Sequence, residues 1–419
     1  MSSPTPSLTP SPVLSLCIPT YNRARYLDSL LGALAQQMAG FPYAYEVVIS
    51  DNGSSDDTPA VVAKHSGALP IRAMRHTETI GCYPNVVHAM TQAQGRYMMY
   101  LADDDCVLAE PLAAAVAAME ADPGIAITYA PWQLYDLVAQ KEQGQFYSVP
   151  HDLHIARGAH GEFLSHILRH HIFPEIYNAR TEVMQRLMPR VNDIAFYAFS
   201  QAADYLSQGS VRINKQPFYV SMTRYFVDED RTQVGSGEVE IAWDRYRGGL
   251  EYMLAKAGNS IGAEERAGFH LRIQHLIAVR ISVAVRLRHI QNRDPVDTHT
   301  LAMRLKGMGY ENLLPVPMET LASQATLHFL LKDITLNRGM QRLVCVGPFD
   351  PHAKAYLKRH AERPVEFVND APQASLKDAL LFVSDRISNF EPSLQERHAR
   401  NLQIVRERDL CERFGLVPA

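Results

Sequence analysis

The sequence predicts an α/β fold: a mostly parallel sheet flanked by helices, then a helical region, then a small carboxyl-terminal α/β unit. Three observations predict it. Short apolar runs alternate with helical stretches from Val13 to about Trp132, the pattern of strands joined by crossover helices. Acidic residues gather where two of those runs end, at Asp51 and at Asp103–Asp105, and ligands of such sheets sit beyond the carboxyl ends of the strands. A second, shorter alternation follows a long stretch of helical periodicity.

The elements follow in order. "VLSLCIP" reads as a strand and "ARYLDSLLGALAQQ" as an amphipathic helix. "YEVVISDNGSSDDT" is a strand running into a polar turn, and "DDTPAVVAKHS" opens a helix with Asp57 or Thr58 as its cap and Pro59 in its first turn. "IRAMRH" is a third strand, "NVVHAMTQAQ" a helix, "RYMMYLADDD" a fourth strand, "EPLAAAVAAMEAD" a helix and "GIAITYAPW" a further strand. Helices are expected at "GEFLSHILRHH", "EVMQRLMP" and "DIAFYAFSQAADYLSQG", the last stopped by Gly209, with a strand or hairpin arm at "VRINKQPFYVSMTRY". After the turn "QVGSGE", helical periodicity holds from Ile241 to about Arg293. "RLVCVGPFD", "VEFVND" and "DALLFVSD" then read as strands, and "HAKAYLKRHAE" and "EPSLQERHARNLQIVRERDLCERF" as helices. The expected division is a loose tail over residues 1–12, a main domain over 13–235, a helical region over 236–335 and a small α/β domain over 336–419.

Composition narrows the function. With 41 Lys+Arg against 45 Asp+Glu, there is no basic field to draw in nucleic acid. The five cysteines, Cys17, Cys82, Cys106, Cys345 and Cys411, show no CxxC spacing. That argues against structural zinc and disulfides and for a reducing, cytoplasmic setting. "MSSPTPSLTPSP" lacks the basic and apolar regions of a signal peptide. No later segment carries an uninterrupted apolar run of about 18 residues, so no membrane span is expected.

The stretch "MMYLADDDC" poses the central question, because three like charges at the end of a core strand are costly to desolvate. Surface charge is one reading, but the neighbours are apolar on both sides. Capping of "EPLAAAV" by Asp105 is another, but Asp105 lies several residues early. The third is a site for a divalent cation and hydroxyl groups, since carboxylate oxygens suit Mg²⁺ or Mn²⁺.

"SLCIPTYNR", "VVISDNGSSDDT" and "IGCYPNVVHAMTQAQGRYMMYLADDD", in this order and spacing, resemble the family 2 glycosyltransferases of the GT-A fold. The likeness is strong over residues 13–135 and loose over 136–230. It implies an inverting, metal-dependent enzyme that moves a sugar from a nucleotide-diphosphate donor, UDP-sugar by default, to an acceptor hydroxyl. It further implies that Pro19, Thr20 and Tyr21 line the base pocket, with Asn22, Arg23 and Asn85 also binding the nucleotide sugar. Asp51 would accept from the base, although Ser50 and Asn52 flank it where the family commonly has a double acid. Asp105 and Asp103 would hold Mn²⁺ or Mg²⁺, and Asp104 and Asp103 would contact the donor. The implied base is Asp204 in "QAADYLSQG", where Ala203 replaces the usual preceding Glu; Asp193 is its rival. Arg224 and Arg231 would brace the diphosphate. The resemblance also implies a glycan, lipid-linked or protein acceptor and a role in surface polysaccharide, lipopolysaccharide or glycoconjugate assembly. A homo-oligomer is compatible with it.

Other features have readings of their own. Arg272, Arg280, Arg286 and Arg288 lie among aliphatics at helical spacing. They suit either peripheral contact with the inner membrane face or, more simply, a packed helix whose arginines reach outward. The histidines of "HDLHIARGAHGEF" and "HHIFPEI" lack a zinc-like arrangement of partners. Two rival functions remain: a nucleotidyltransferase, which normally needs a Gly-rich loop that "PTYNRARY" lacks, and a non-catalytic scaffold.

Overall fold

The computed structural model describes residues 11–188, 194–227, 243–369, 376–387 and 401–416. The chain divides into two compact units, residues 1–236 with 244–273, and residues 237–243 with 274–419. The helical region expected over 236–335 is therefore shared between them.

The first unit begins with β1 (Leu14–Thr20), α1 (Ala24–Gln37), β2 (Tyr45–Asp51), α2 (Thr58–His65), β3 (Ile71–Arg75), α3 (Cys82–Thr91) and β4 (Tyr97–Tyr100). Then come β5 (Cys106–Val107), α4 (Ala109–Ala121), β6 (Ile125–Tyr129), β7 (Trp132–Asp136), β8 (Lys141–Gln145) and β9 (Leu153–Ile155). They are followed by α5 (His160–His170), β10 (Tyr177–Arg180), α6 (Thr181–Leu187), α7 (Tyr197–Gln208), β11 (Ser210–Ile213) and β12 (Tyr219–Arg224). After β12 come α8 (Trp243–Lys256) and α9 (Ala263–Ile290), and the unit boundary falls inside α9.

The main sheet has the order β3-β2-β1-β4-β10-β6-β11-β9. Its first four strands run parallel, β10 is antiparallel to both neighbours, and β11 runs parallel to β6. β1 and β2 are buried almost throughout, as central strands covered on both faces must be. One covering face is α1, whose Tyr26, Leu27, Leu30, Leu31 and Leu34 recur at helical spacing and are buried. Each such side chain contributes roughly 1.5–3 kcal/mol on burial. Gly209 does stop α7: a Cβ there would meet the Gly124 carbonyl oxygen at 2.5 Å and Ala126 Cβ at 3.0 Å, so only glycine lets α7 turn so tightly into β11.

"VRINKQPFYVSMTRY" is not one strand but two. β11 lies in the main sheet, while β12 joins a second sheet of order β5-β12-β7-β8. The break falls at Asn214–Phe218, where Pro217 interrupts the run. This second sheet packs Val220, Met222 and Cys106 against Tyr26 of α1.

The second unit holds α10 (Pro295–Gly307), α11 (Met318–Lys332), α12 (Ile334–Asn337), β13 (Arg342–Val346), α13 (Pro351–His360), β14 (Val365–Val368), β15 (Ala379–Val383), β16 (Gln403–Arg406) and α14 (Glu407–Arg413). Its parallel sheet has the order β14-β13-β15-β16 and a core that includes Leu343, Cys345, Leu380, Phe382 and Leu357. β16 replaces part of the helix expected in "NLQIVRERDL": adjacent β-branched Ile404 and Val405 pair with Leu381 and Phe382 of β15. The apolar stripe of α9 is covered, with Phe269, Ile273, Ile277, Ile281 and Val285 all buried. Arg288 is itself buried and binds Asp297 at 3.1 Å. Among the described residues, no helix is long and apolar enough to cross a membrane.

Candidate functional site

The carboxyl ends of β1, β2 and β4 bring the expected residues together. Thr20, the last residue of β1, pairs in register with Asp51 of β2. On its other side its hydroxyl donates to Asp103 Oδ2 at 2.8 Å, just past β4. All three acids of the triplet are at least 94 % buried, so their charges need local partners. Arg23 supplies one: its Nε lies 3.1 Å from Asp103 Oδ1 and its Nη2 donates to Asp104. Burial nevertheless pushes Asp103 up to about 7; Arg23 pulls it down and Asp104 raises it further.

Asp105 is held differently. The Tyr219 hydroxyl donates to its Oδ2 at 2.8 Å and the Met222 amide to its Oδ1 at 2.9 Å. β12 thus grips this carboxylate through both of its oxygens. Nothing in the sequence near Tyr219 announced this contact, because β12 reaches the site through the second sheet.

Asp51 accepts from the Ser54 amide at 2.9 Å through Oδ1. Its Oδ2 is buried, has no hydrogen-bond partner and lies 3.3 Å from Arg75 Nε. The loop after it depends on Gly53, whose φ is +75° and whose Cβ position lies 3.0 Å from the Glu78 backbone. Asn52 ties this loop to the next, accepting from the Ile80 amide at 2.8 Å and donating to the Gly81 carbonyl at 3.2 Å.

Several expected ligand-binding residues serve this frame. Asn22, at φ 52°, receives the Ser55 amide on Oδ1 at 2.8 Å and gives its own amide to Ser54 Oγ at 2.9 Å. Asn85 is buried on α3, donates to the Ser50 carbonyl at 3.0 Å and accepts from Ser50 Oγ at 2.7 Å. Pro19 precedes Thr20 in β1, and Tyr21 stands 45 % exposed at the rim, open to stack on a ring.

Arg224 and Asp204 make none of these contacts. Arg224 is exposed at the far end of β12, 3.9 Å from Asp136. Arg231 and Asp193 lie outside the described residues. Asp204 is the eighth of the twelve residues of α7, which runs into the start of β11. β6 and β11 run parallel to β4, so that start is the sheet edge opposite the acid triplet. Asp204 binds Lys256 Nζ at 3.0 Å and accepts from Tyr252 at 2.9 Å. Burial pulls Lys256 down, but the hydrogen bond and charge of Asp204 outweigh it and hold Lys256 above its ordinary value. A separate concavity of about 490 Å³ opens against α5, lined by His166, Arg169 and Glu265 among others, and takes in none of these residues.

A divalent cation fits the donor set in one particular way. Among the described residues, no three His, Cys, Asp or Glu side chains converge into a cage. The triplet offers hard oxygen donors, and Asp103 is short of counter-charge despite Arg23. Such a set suits Mn²⁺ or Mg²⁺ that takes its remaining ligands from phosphate oxygens.

Residues 15–167 match the family model described as glycosyl transferase family 2. Curated relatives match over short stretches. The abequosyltransferase RfbV of Salmonella typhimurium is 33 % identical over 103 residues, 24 % of this chain and 31 % of that protein. The validoxylamine A glucosyltransferase of Streptomyces hygroscopicus subsp. jinggangensis is 49 % identical over 61 residues, 15 % of this chain and 14 % of that protein. The poly(ribitol-phosphate) beta-N-acetylglucosaminyltransferase TarS of Staphylococcus aureus is 34 % identical over 106 residues, 25 % of this chain and 18 % of that protein. The chain therefore spans less than a third of the length of each. Among solved structures, TarS 1–349 in complex with UDP-GlcNAc overlays with a TM-score of 0.47 at 16 % identity, covering 75 % of this chain and 86 % of that one.

Proposed function

Since residues 15–167 match the model of glycosyl transferase family 2, we propose that this chain is an inverting glycosyltransferase using a nucleotide-diphosphate sugar. One observation carries the reading. Two acidic groups meet on either side of Thr20: Asp51, with a buried oxygen lacking a hydrogen-bond partner, and the triplet, with a desolvated Asp103. The first suits the N–H of a base, and the second suits a cation or the sugar hydroxyls next to a diphosphate. Tyr21 at the rim adds a stacking face. Uracil is the default base, since its imide N–H is the donor that a lone carboxylate oxygen would accept.

Asp103 and Asp105 would hold Mn²⁺ or Mg²⁺, which supplies charge stabilisation for a departing diphosphate. The chain's own residues do the rest. Arg23 and Thr20 fix the carboxylates, the Asn52 and Gly53 loop holds Asp51 at the base pocket, and Tyr219 with the Met222 amide orients Asp105. In the displacement, an acceptor hydroxyl attacks the anomeric carbon from the face opposite the diphosphate and loses its proton to a carboxylate. The acceptor would be a glycan, lipid-linked or protein hydroxyl, in surface-polysaccharide or related assembly.

A thermal-shift series with UDP- and GDP-sugars, with and without Mn²⁺, tests the proposal. Stabilisation that needs both nucleotide and metal is expected. No response to any nucleotide sugar, or an equal response with and without metal, would overturn the corresponding part of it.

A further inference from the structure

We infer that Phe146 carries the acceptor and that this acceptor is a glycan, one sugar ring of which lies on the phenyl face. This inference rests on the transferase reading above and narrows its acceptors to one class.

The second sheet supplies the placement. Tyr219 of β12 pairs in register with Trp132 of β7. The Phe146 amide, just past β8, donates to the Trp132 carbonyl at 3.1 Å. Residues opposite one another on adjacent strands share a face of the sheet, so Tyr219, Trp132 and Phe146 form one row of rings. At the inner end of the row the Tyr219 hydroxyl donates to Asp105 at 2.8 Å. The row then opens outward: Tyr219 is 1 % exposed, Trp132 7 % and Phe146 43 %. With strands about 5 Å apart, Phe146 lies about 10 Å from Tyr219 across the sheet. The body of an acceptor would lie there when its reacting hydroxyl is at the acid triplet.

The ring is held ready for contact. One face of Phe146 stacks on Trp132, with centroids 4.3 Å apart and planes 12° from parallel. Buried Phe173 stands 6.0 Å from Trp132 and 5.9 Å from Phe146, with its plane steeply inclined to both. Being equally far from the two rings, it flanks the stack and does not cover the outer face of Phe146. A ring fixed in this way loses little freedom when a ligand covers that face. A pyranose ring suits it, because its C–H groups are drawn to the negative face of the phenyl ring while its hydroxyls point outward to polar groups or water. The surroundings are polar: β8 reads KEQGQ and is exposed throughout. A lipid chain needs a continuous apolar strip, which a ring set beside this strand does not give.

The test compares wild type with Phe146→Ala, Phe146→Leu and Phe146→Tyr. Nucleoside diphosphate release from UDP-GlcNAc, UDP-glucose and GDP-mannose is measured with Mn²⁺, first in water alone. Disaccharides of glucose, galactose, mannose and GlcNAc are then titrated in, beside a peptide rich in Ser and Thr and a long-chain alkyl phosphate. Calorimetry follows donor affinity. Expected is faster release by wild type with a disaccharide and with neither of the other two acceptors. The disaccharide KM should rise at least about tenfold in the Ala and Leu variants, with donor affinity within about threefold of wild type. The Tyr variant, which keeps the ring face, should stay within about threefold in KM. The Leu variant keeps apolar bulk without a ring, and it decides alone if the Ala variant does not fold. A Leu variant with KM within threefold of wild type overturns the inference, as does a Tyr variant as weak as Leu or a parallel loss of donor affinity. So does a wild type accelerated only by the peptide or the alkyl phosphate, or by no acceptor, and these outcomes leave the transferase reading standing. A wild type that releases nothing from any donor, with or without acceptor, overturns that reading, and this inference with it.

Discussion

Arg23 Nε lies 3.1 Å from Asp103 Oδ1, so the fold's own cation occupies the place where a metal-binding carboxylate waits. The same guanidinium donates to Asp104 and lies 4.4 Å from the Tyr26 ring centroid, which fixes its position. Replacing it by Met keeps the aliphatic bulk and removes the charge. Arg23→Met should lose on the order of 3 kcal/mol of stability in EDTA, because buried carboxylates lose their guanidinium. Mn²⁺ should then raise the melting temperature of the variant more than that of wild type. Equal metal responses in the two proteins would show that Arg23 and the ion do not share a site.

Asp103 also carries a pH signature. Burial lifts it from an ordinary 3.8 to about 7 in the fold. A carboxyl raised on folding stabilises most below its unfolded value and loses that contribution as pH rises through its folded value. The window is therefore about pH 4 to 7, and the full effect is at most about 4 kcal/mol. Asp103→Asn has no proton to lose, so without divalent ions it should gain on wild type as pH rises from 5 to 8. Urea midpoints for both proteins at the two pH values measure this. A gap that stays constant would mean that Asp103 is not desolvated as described.

Asp51 offers a test of the nucleotide pocket that is independent of metal. Its Oδ2 is buried without a hydrogen-bond partner, and Arg75 Nε at 3.3 Å balances its charge. If that oxygen receives the base, Asp51→Ala should weaken UDP binding about 10- to 100-fold, the worth of one hydrogen bond to a charged group. Binding of pyrophosphate alone should be unchanged. Calorimetry with UDP and with pyrophosphate separates the two, and equal losses for both would place Asp51 in the frame rather than in the pocket.

Much of this arrangement was legible in the sequence. The continuous apolar runs of β1, β2 and β4 and the acids after them gave strand ends and a polar edge, because local patterning alone determines both. What could not be read depends on contacts between distant segments. Tyr219 reaches Asp105 from 114 residues away through the second sheet. β10 inserts antiparallel between β4 and β6, and "FPEIYN" carries no mark of that insertion. Asp204 is a different case. Its acidic-aromatic context resembles a family motif, and its contacts with Lys256 and Tyr252 come from α8, about 50 residues further along the chain.

Asp204 is tested by the kind of loss its replacement causes. Asp204 is bound by Lys256 at 3.0 Å and Tyr252 at 2.9 Å, with its own side chain 8 % exposed and that of Lys256 28 % exposed. Asp204→Asn leaves a partly buried ammonium without its counter-ion, at a cost of about 1–3 kcal/mol after allowing for solvent around the lysine. Changing Lys256 to Met in the same chain should recover part of that cost, because the unpaired charge goes too. Nucleoside diphosphate release by folded Asp204→Asn should stay within about threefold of wild type. The opposite result, stability intact and release abolished, would return the base to α7, because a residue that holds a helix in place lowers stability before it stops chemistry.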